Sequence, residues 1–536
     1  MASPGYRELV RAYLDLRWQL DPVAATQAGV GGHDGRLGRF TRSDIKAALA
    51  ALKATAGALE AVDAEDRADE VDQTAVLNDI RVQIARFEKE RPHELNPEFH
   101  LTHLLTGLYS LLIRLDQPSE ARASALTSRL ADVPRFLTDA RATVQHPARV
   151  FTETALSVAA GGLLLLREAV PAFAATVSPG ARAAIEQAAG PARESLDEYS
   201  AYVGDELMER ASANFAIGRQ AFDFRLHYEH ALRETASELL RFGERLVADT
   251  RAQLEQRAEA LAPGTPWRAL ADRLRADHPT AGALVELYAA QMDRARAFVV
   301  ERHLVSIPPG KLEVVATPSF MRPLIPFAAY EPPGAFADDR TGWFYVTVPD
   351  SARLRDHCAH EVACTALHEG YPGHHLHFLV MQAQASPVRR VIGSPLTVEG
   401  WALYCEQLMA DEGFLGRPEE LFFQQLHMLW RAVRIVLDVR LHTMGMSVPE
   451  AVTYMTDTLG ISRPSAESEV RRYCGSPAYQ LCYAVGRREL ERLREDVRAR
   501  DGAAFSLRRF HDDVLAYGAL PVSLIRWGMG LGESEG

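Results

Sequence analysis

The chain has 536 residues, 47% hydrophobic, and a formal net charge of −12. That length and apolar content supply a core large enough for two intimately packed lobes, and the acidic balance argues against nucleic acid or an anionic membrane as partner, since both reward a basic face. Five cysteines, all between 358 and 482 and without a Cys-x-x-Cys pair, do not describe a secreted disulfide framework and point to reduced thiols.

The opening MASPGYRELVRAYL lacks the basic segment and apolar run of an export signal, and no later stretch approaches a membrane-spanning length. LSVAAGGLLLLREAV (156–170) is short, bounded by charge and reads as a buried helix. A soluble, cytoplasmic protein is expected. Helical spacing then runs through residues 1–300. Ser3-Pro4 supplies a cap and first turn for Tyr6, Leu9, Val10, Tyr13 and Leu14, and Ile45, Leu49, Leu52, Ala56 and Leu59 repeat the pattern. Turn chemistry interrupts it at Gly29 to Gly38, Gln145 to Pro147, Ser178 to Gly180 and Ala262 to Pro266. No catalytic motif falls in this half, which reads as a helical scaffold lobe.

Residues 301–536 read as a catalytic lobe. LEVVATP and GWFYVTVP predict two or three short strands within 311–348, whereas PLIPFAAYEPPGAFADDR between them is too Pro-rich for regular structure and reads as a long loop. Helices return after 350. Phe422, Leu426, Leu429, Val433 and Val436 mark a long core helix, and Ser447 with Glu450 makes a capping box for a helix that Gly460 stops. Tyr479, Tyr483, Gly486, Leu490, Leu493 and Val497 line one face of another. The last segment divides into two short helices at Gly518 to Pro521.

CAHEVACTALHEGYPGHHLH, Cys358 to His377, carries the density of ligand-type side chains that a transition-metal site needs. A zinc hydrolase requires two or three His or carboxylate ligands, an open position for water and a carboxylate to take its proton, commonly as His-Glu-x-x-His on one helix face. His368-Glu369 opens such a motif, but Tyr371 and Pro372 follow and the next histidines stand at 374 and 375. Pro372 has no N–H for the His368 carbonyl, so the helix must kink or bulge. Looping out two residues returns His374 to the face of His368; a kink that keeps the helix in phase makes His375 the ligand instead. His374 is favoured, because the stretch then superposes on the His-Glu-x-Gly-His-x-Leu-His pattern of zinc-peptidase helices.

His360, Cys364 and His368, at i, i+4 and i+8, offer a rival arrangement, a closed structural site with a thiolate; otherwise Cys364 is a small buried residue beside the centre. Thr397 is expected to cap the helix VEGWALYCEQLM, whose Glu399 and Glu406 lie on one face among apolar neighbours where a carboxylate needs a partner. Glu399 is the candidate third ligand and Glu406 its support, unless both simply face solvent.

HEGYPGHH, then EGWALYCE, then FHDDVLAYGALPVSLI resemble the bacterial family catalogued as domain of unknown function 885, over nearly the whole chain and most specifically in its C-terminal half. In motif order that family is similar to gluzincin metallopeptidases of the thimet oligopeptidase and carboxypeptidase Taq groups. The resemblance implies a mainly α, elongated, two-lobed metallopeptidase-like fold with a small β-sheet edging a deep cleft. It implies one zinc ion held by His368, His374 and Glu399, with Glu369 as general base. It further implies a Tyr or His donor to the tetrahedral oxyanion. Tyr483 and Tyr479 are the best candidates, with Tyr473 and His511 behind them, and Arg471 and Arg472 are candidates to hold a substrate carboxylate. Where the family often has Pro-Gly-Gln-Ala this chain has Pro477-Ala478-Tyr479-Gln480, a departure that bears on substrate choice more than on metal binding.

The expected activity is hydrolysis of a short peptide or small amide by a zinc enzyme, with no nucleic-acid or membrane partner and a homodimer allowed. Its rivals are a zinc enzyme that opens, cyclises or eliminates from a small metabolite, and a helical metal-binding protein without turnover. Two histidines and a carboxylate also suit non-haem iron.

Overall fold

The structure is a computed structural model that describes residues 5–114, 117–318, 322, 325, 327–349 and 351–532, the side chains of 351–353 excepted. Ser3 and Pro4 lie outside the described residues; the first helix, Tyr6–Leu20, follows Gly5. The described chain is mainly helical with one three-stranded sheet. All five cysteines are buried free thiols.

Two compact units form, Met1–Phe215 with Pro318–Leu324 and Gly334–Asp339, and Ala216–Thr317 with Ile325–Pro333 and Arg340–Gly536. The boundary expected near residue 300 therefore lies at 215, because helix Ala236–Leu261 packs along helix Pro418–Thr443. In the first unit, helices Pro97–Ile113, Ser119–Thr143, Arg149–Leu164 and Pro179–Tyr202 enclose a core that includes Leu104, Leu108, Leu126, Leu130 and Leu196. Each such leucine contributes about 1.5–3 kcal/mol by leaving water. The helical run Arg149–Ala174 is 26 residues long with an 18-residue window of mean hydropathy 1.5, long and apolar enough to cross a membrane by length and composition. That corrects the expectation that no stretch approaches this length, although Ala155, Ala159, Leu166 and Val170 are buried in the core.

In the second unit β1 (Lys311–Ala316), β2 (Ala328–Glu331) and β3 (Thr341–Val346) form a sheet in the order β1-β3-β2, with β1 parallel and β2 antiparallel to β3. β2 lies inside the stretch read as one long loop: Ala-Ala-Tyr-Glu is free of proline, and its backbone pairs with β3 from Val346 to Trp343. Phe344 and Val346 share a core with Leu284, Tyr288 and Met292, and with Val362 and Ala366. Those last two, four apart on helix Val362–Glu369, seat one face of it and leave Cys364, Thr365 and His368 on another.

Further along, Ser447 and Glu450 close a capping box on helix Val448–Leu459, which ends at Gly460 with φ +71. The terminal segment forms Leu507–Leu515 and Val522–Gly528 on either side of the expected break. Ser394 rather than Thr397 caps helix Pro395–Asp411, accepting from the Leu396 N–H at 3.1 Å, because Pro395 occupies the first helical position. Thr397 instead donates to the Leu520 carbonyl at 2.7 Å. Tyr479 precedes helix Cys482–Asp501 rather than lying on it.

Candidate metal centre

Helix Val362–Glu369 stops one residue after His368, and a second helix, His374–Gln382, starts beyond Gly370–Gly373. The interruption that Pro372 forces is thus a full break, neither a bulge nor a kink within one helix, and the Tyr371–Pro372 peptide is cis. The Gly373 N–H donates to the Leu367 carbonyl at 3.1 Å. A Cβ on Gly373 would overlap the His368 carbonyl, so a residue without a side chain is required where the chain folds back this closely. The Pro372 carbonyl accepts from Trp401 Nε1 at 2.8 Å, which ties the break to helix Pro395–Asp411.

The second helix turns His374 back toward His368. His368, His374 and Glu399 are buried, and their ligand atoms all lie within 4.8 Å of one another. His374 Nε2 stands 3.5 Å from Glu399 Oε2; donors held tetrahedrally at ~2.1 Å are roughly 3.4 Å apart, so this pair has the spacing that two ligands of one zinc ion need. His368 Nδ1 donates to Glu406 Oε1 at 2.7 Å, which fixes the ring and leaves Nε2 for an ion. Tyr479 donates to Glu399 Oε1 at 2.5 Å and leaves the other oxygen. Glu399 meets Tyr479 and Tyr483 because helices Pro395–Asp411 and Cys482–Asp501 touch backbone to backbone: a Cβ on Gly400 would lie 2.6 Å from Gly486 Cα.

A cavity of about 500 Å³ covers these atoms, lined also by Glu369, Tyr479 and Tyr483. Its carboxylates favour a cation. Burial opposes protonation of His374, yet Glu399, Glu369 and Glu406 together raise it above the ordinary histidine value. Burial would raise the Glu399 and Glu406 carboxyls as well. Bonds to His374 and Tyr479 for Glu399, and the His368 bond with the Arg431 charge for Glu406, outweigh it and lower each to about 2.

The remaining expected residues fall elsewhere. His375 turns to the sheet, its Nδ1 2.9 Å from the Tyr330 hydroxyl, and burial lowers it to about 4. His374 is therefore the histidine brought to His368. Tyr473 is buried away from the cavity and donates to Glu469 at 2.7 Å. His511 sits behind Trp401, between the Tyr404 hydroxyl at 2.9 Å and the Leu304 carbonyl at 2.6 Å. Neither Arg471 nor Arg472 lines the cavity; Arg472 pairs with Glu469 at 2.7 Å because both close the same helix end. His360 pairs with Asp277 at 3.1 Å, so His360, Cys364 and His368 do not assemble as a set. Cys364 lies instead with Glu406 and His427, again within 4.8 Å. Glu406 is committed to His368, and Arg431, 3.9 Å from its Oε1, opposes a second cation there.

Three functional positions escaped the sequence reading. Arg431 and Arg434 line the cavity from helix Pro418–Thr443, and their signal was two arginines three apart inside the stripe of Leu429, Val433 and Val436. Asp438, fully buried in the same helix, accepts from the Ala478 N–H at 3.0 Å and the Leu481 N–H at 3.2 Å, and so holds the turn that presents Tyr479. Burial pushes its carboxyl up to about 7 against those bonds; an acid inside an apolar run was the cue. Ala478 stands at φ +62. An L residue there costs about 1–2 kcal/mol, which the Asp438 bond and a 2.8 Å bond from His230 to its carbonyl offset.

The profile of bacterial proteins of unknown function called DUF885 matches residues 22–529. The chain belongs to this family. Two solved structures share the fold. One, from Shewanella oneidensis and provisionally described as a lipoprotein of unknown function, is 22% identical with a TM-score of 0.81, over 98% of this chain and 100% of that one. The other, from Colwellia psychrerythraea and likewise provisionally described as a lipoprotein, is 17% identical with a TM-score of 0.83 over 99% of each chain. No curated protein matches, and none of these comparisons supports the wider likeness to gluzincin peptidases. The cytoplasmic expectation is withdrawn, because both of these structures are described as lipoproteins.

Proposed function

We propose that this DUF885 protein is a zinc-dependent hydrolase of peptide or amide bonds. The observation that carries the reading is the convergence of two imidazole nitrogens and one carboxylate in a cavity that also holds Glu369. Bound there, zinc would polarise the scissile carbonyl and acidify a water. The chain's own groups do the remaining work. Glu406 keeps His368 in the tautomer that offers Nε2, and Tyr479 orients Glu399. Glu369, close enough to His374 to raise it, takes the proton of the attacking water and passes it to the leaving amine. Because Tyr479 is committed to Glu399, Tyr483 serves the developing oxyanion; burial and Glu399 push its hydroxyl up to about 12, so it keeps the proton it donates.

Metal analysis of the purified, zinc-supplied protein and turnover of Glu369→Gln test this together. One zinc per chain is expected, with turnover of a cleaved amide reduced on the order of 10²–10⁴-fold in the variant. A protein that takes up no zinc, or a variant with full turnover, overturns the reading.

A further inference from the structure

Two arginines look into the cavity, and the chemistry derived above uses neither. Arg434 is well engaged: Nε donates to the Tyr473 hydroxyl at 3.0 Å, Nη2 reaches Glu469 at 3.4 Å, and the guanidinium lies 4.6 Å from the Tyr483 ring centre. Arg431 is not. Its Nε is buried without a hydrogen-bond partner. Its Nη1 makes only a 3.4 Å bond to the His427 carbonyl of its own helix. The carboxylate oxygen it reaches, Glu406 Oε1, is 3.9 Å away and already accepts from His368.

A guanidinium sheltered from water with donors unspent is costly, and its planar fork matches a carboxylate with two parallel bonds. Of the cavity's own carboxylates, Glu399 is committed to Tyr479 and His374 and Glu406 Oε1 to His368, while Glu406 Oε2 makes no hydrogen bond to Arg431 or to any other described group. A ligand can supply the missing acceptor. Arg431 also stands close to the candidate centre, two contacts from His368 by way of Glu406. A residue of extended chain spans about 3.3–3.6 Å, so an anion on Arg431 belongs one or two residues from a bond held at His368 and His374. A cavity of about 500 Å³ is of a size for a dipeptide or an acylated amino acid.

We propose that Arg431, flanked by Arg434, binds the free α-carboxylate of the substrate, which is an N-acyl amino acid or a short peptide cut within one or two residues of its C-terminus. What is cut rests on the hydrolase reading above; the carboxylate site does not.

Calorimetric titration of the zinc-supplied Glu369→Gln protein with N-benzoylglycyl-leucine, its C-terminal carboxamide and inorganic phosphate separates the cases. The carboxylate form is expected to bind about tenfold more tightly than the carboxamide, as a charge-assisted pair requires. Arg431→Met in the same background removes that preference, and Arg431→Lys restores part of it. Equal binding of the two peptides overturns the proposal without any Arg431 variant, as does a preference that survives Arg431→Met. Phosphate that binds while the peptide carboxylate does not overturns it as well. In the otherwise wild-type enzyme the kcat/KM ratio for the peptide pair falls toward one in Arg431→Met, with zinc content retained. A purely structural arginine would lower both members and the zinc content together. Failure of the hydrolase reading looks different: neither peptide is cut, while the carboxylate preference in binding persists.

Discussion

Replacing Glu406 by glutamine preserves the shape of the side chain and its acceptor oxygen but removes the charge that meets His368 Nδ1 at 2.7 Å. A hydrogen bond to a charged group contributes about 1.5–3 kcal/mol and a neutral one about 0.5–1.5, so the exchange costs about 1–1.5 kcal/mol. Glu406 is 1% exposed, so water does not make up the difference. The loss corresponds to about a tenfold weaker hold on zinc, the lower end of the 10–100-fold range for groups that buttress a ligating histidine. Competition for zinc against a chromophoric chelator at fixed pH reads the affinity, and circular dichroism establishes that the variant is folded. An unchanged affinity in a folded Glu406→Gln protein refutes the inference that this carboxylate supports a metal-binding His368.

Exchanging neighbours separates ligand from scaffold: His374→Ala loses stoichiometric zinc, whereas His375→Ala keeps it and loses about 1–3 kcal/mol of stability with its Tyr330 bond and ring packing. Metal analysis beside thermal denaturation distinguishes them, and the reverse pattern would move the ligand to His375. Asp438→Asn leaves the turn before helix Cys482–Asp501 with one side-chain acceptor for two N–H groups. Turnover is expected to fall about ten- to a hundredfold as Tyr479 loses its position, with zinc retained; undiminished kcat would show the turn to be held by other contacts. His100 and His511 are lowered by burial to about 4 in the folded protein. Unfolded, they take up protons near pH 6.5, so their contribution is complete above that value and is lost as pH falls toward 4, by about 3 kcal/mol each. Glu98 and Asp438, raised to about 7 by burial, act in the opposite sense. The comparison to make is therefore the urea midpoint of wild type and His511→Asn at pH 7.5 and 5: a smaller acid loss in the variant is expected, and an equal loss would contradict the assignment.

Much of the centre was legible because the rules behind it are local. His368-Glu369 announces itself by residue type, and Glu399 with Glu406 by helical phase and by the cost of burying carboxylates among Trp401, Ala402 and Leu403. What escaped depended on where the chain goes next. Pro372 guarantees an interruption, but the choice between His374 and His375 rests on the path of Gly370–Gly373, set by the Trp401 bond from another helix. Arg471 and Arg472 have the right charge but do not line the cavity, Arg472 being paired with Glu469, while Arg431 and Arg434 sit in a stripe that spacing marks only as core. The boundary at 215 likewise follows from one helix pairing, Ala236–Leu261 with Pro418–Thr443.

The sequence by itself determined the mainly helical character, the capped and broken ends of many helices, the sheet-forming stretch after 310 and the set of side chains able to hold a metal. Each of these follows from periodicity, backbone torsion or side-chain chemistry within a few residues. Only the tertiary structure decided which histidine returns to the first, which arginines face the cavity and which carboxylates are already spoken for. Those answers depend on contacts between segments far apart in the chain, such as Gly400 against Gly486, and no spacing rule reaches across that separation.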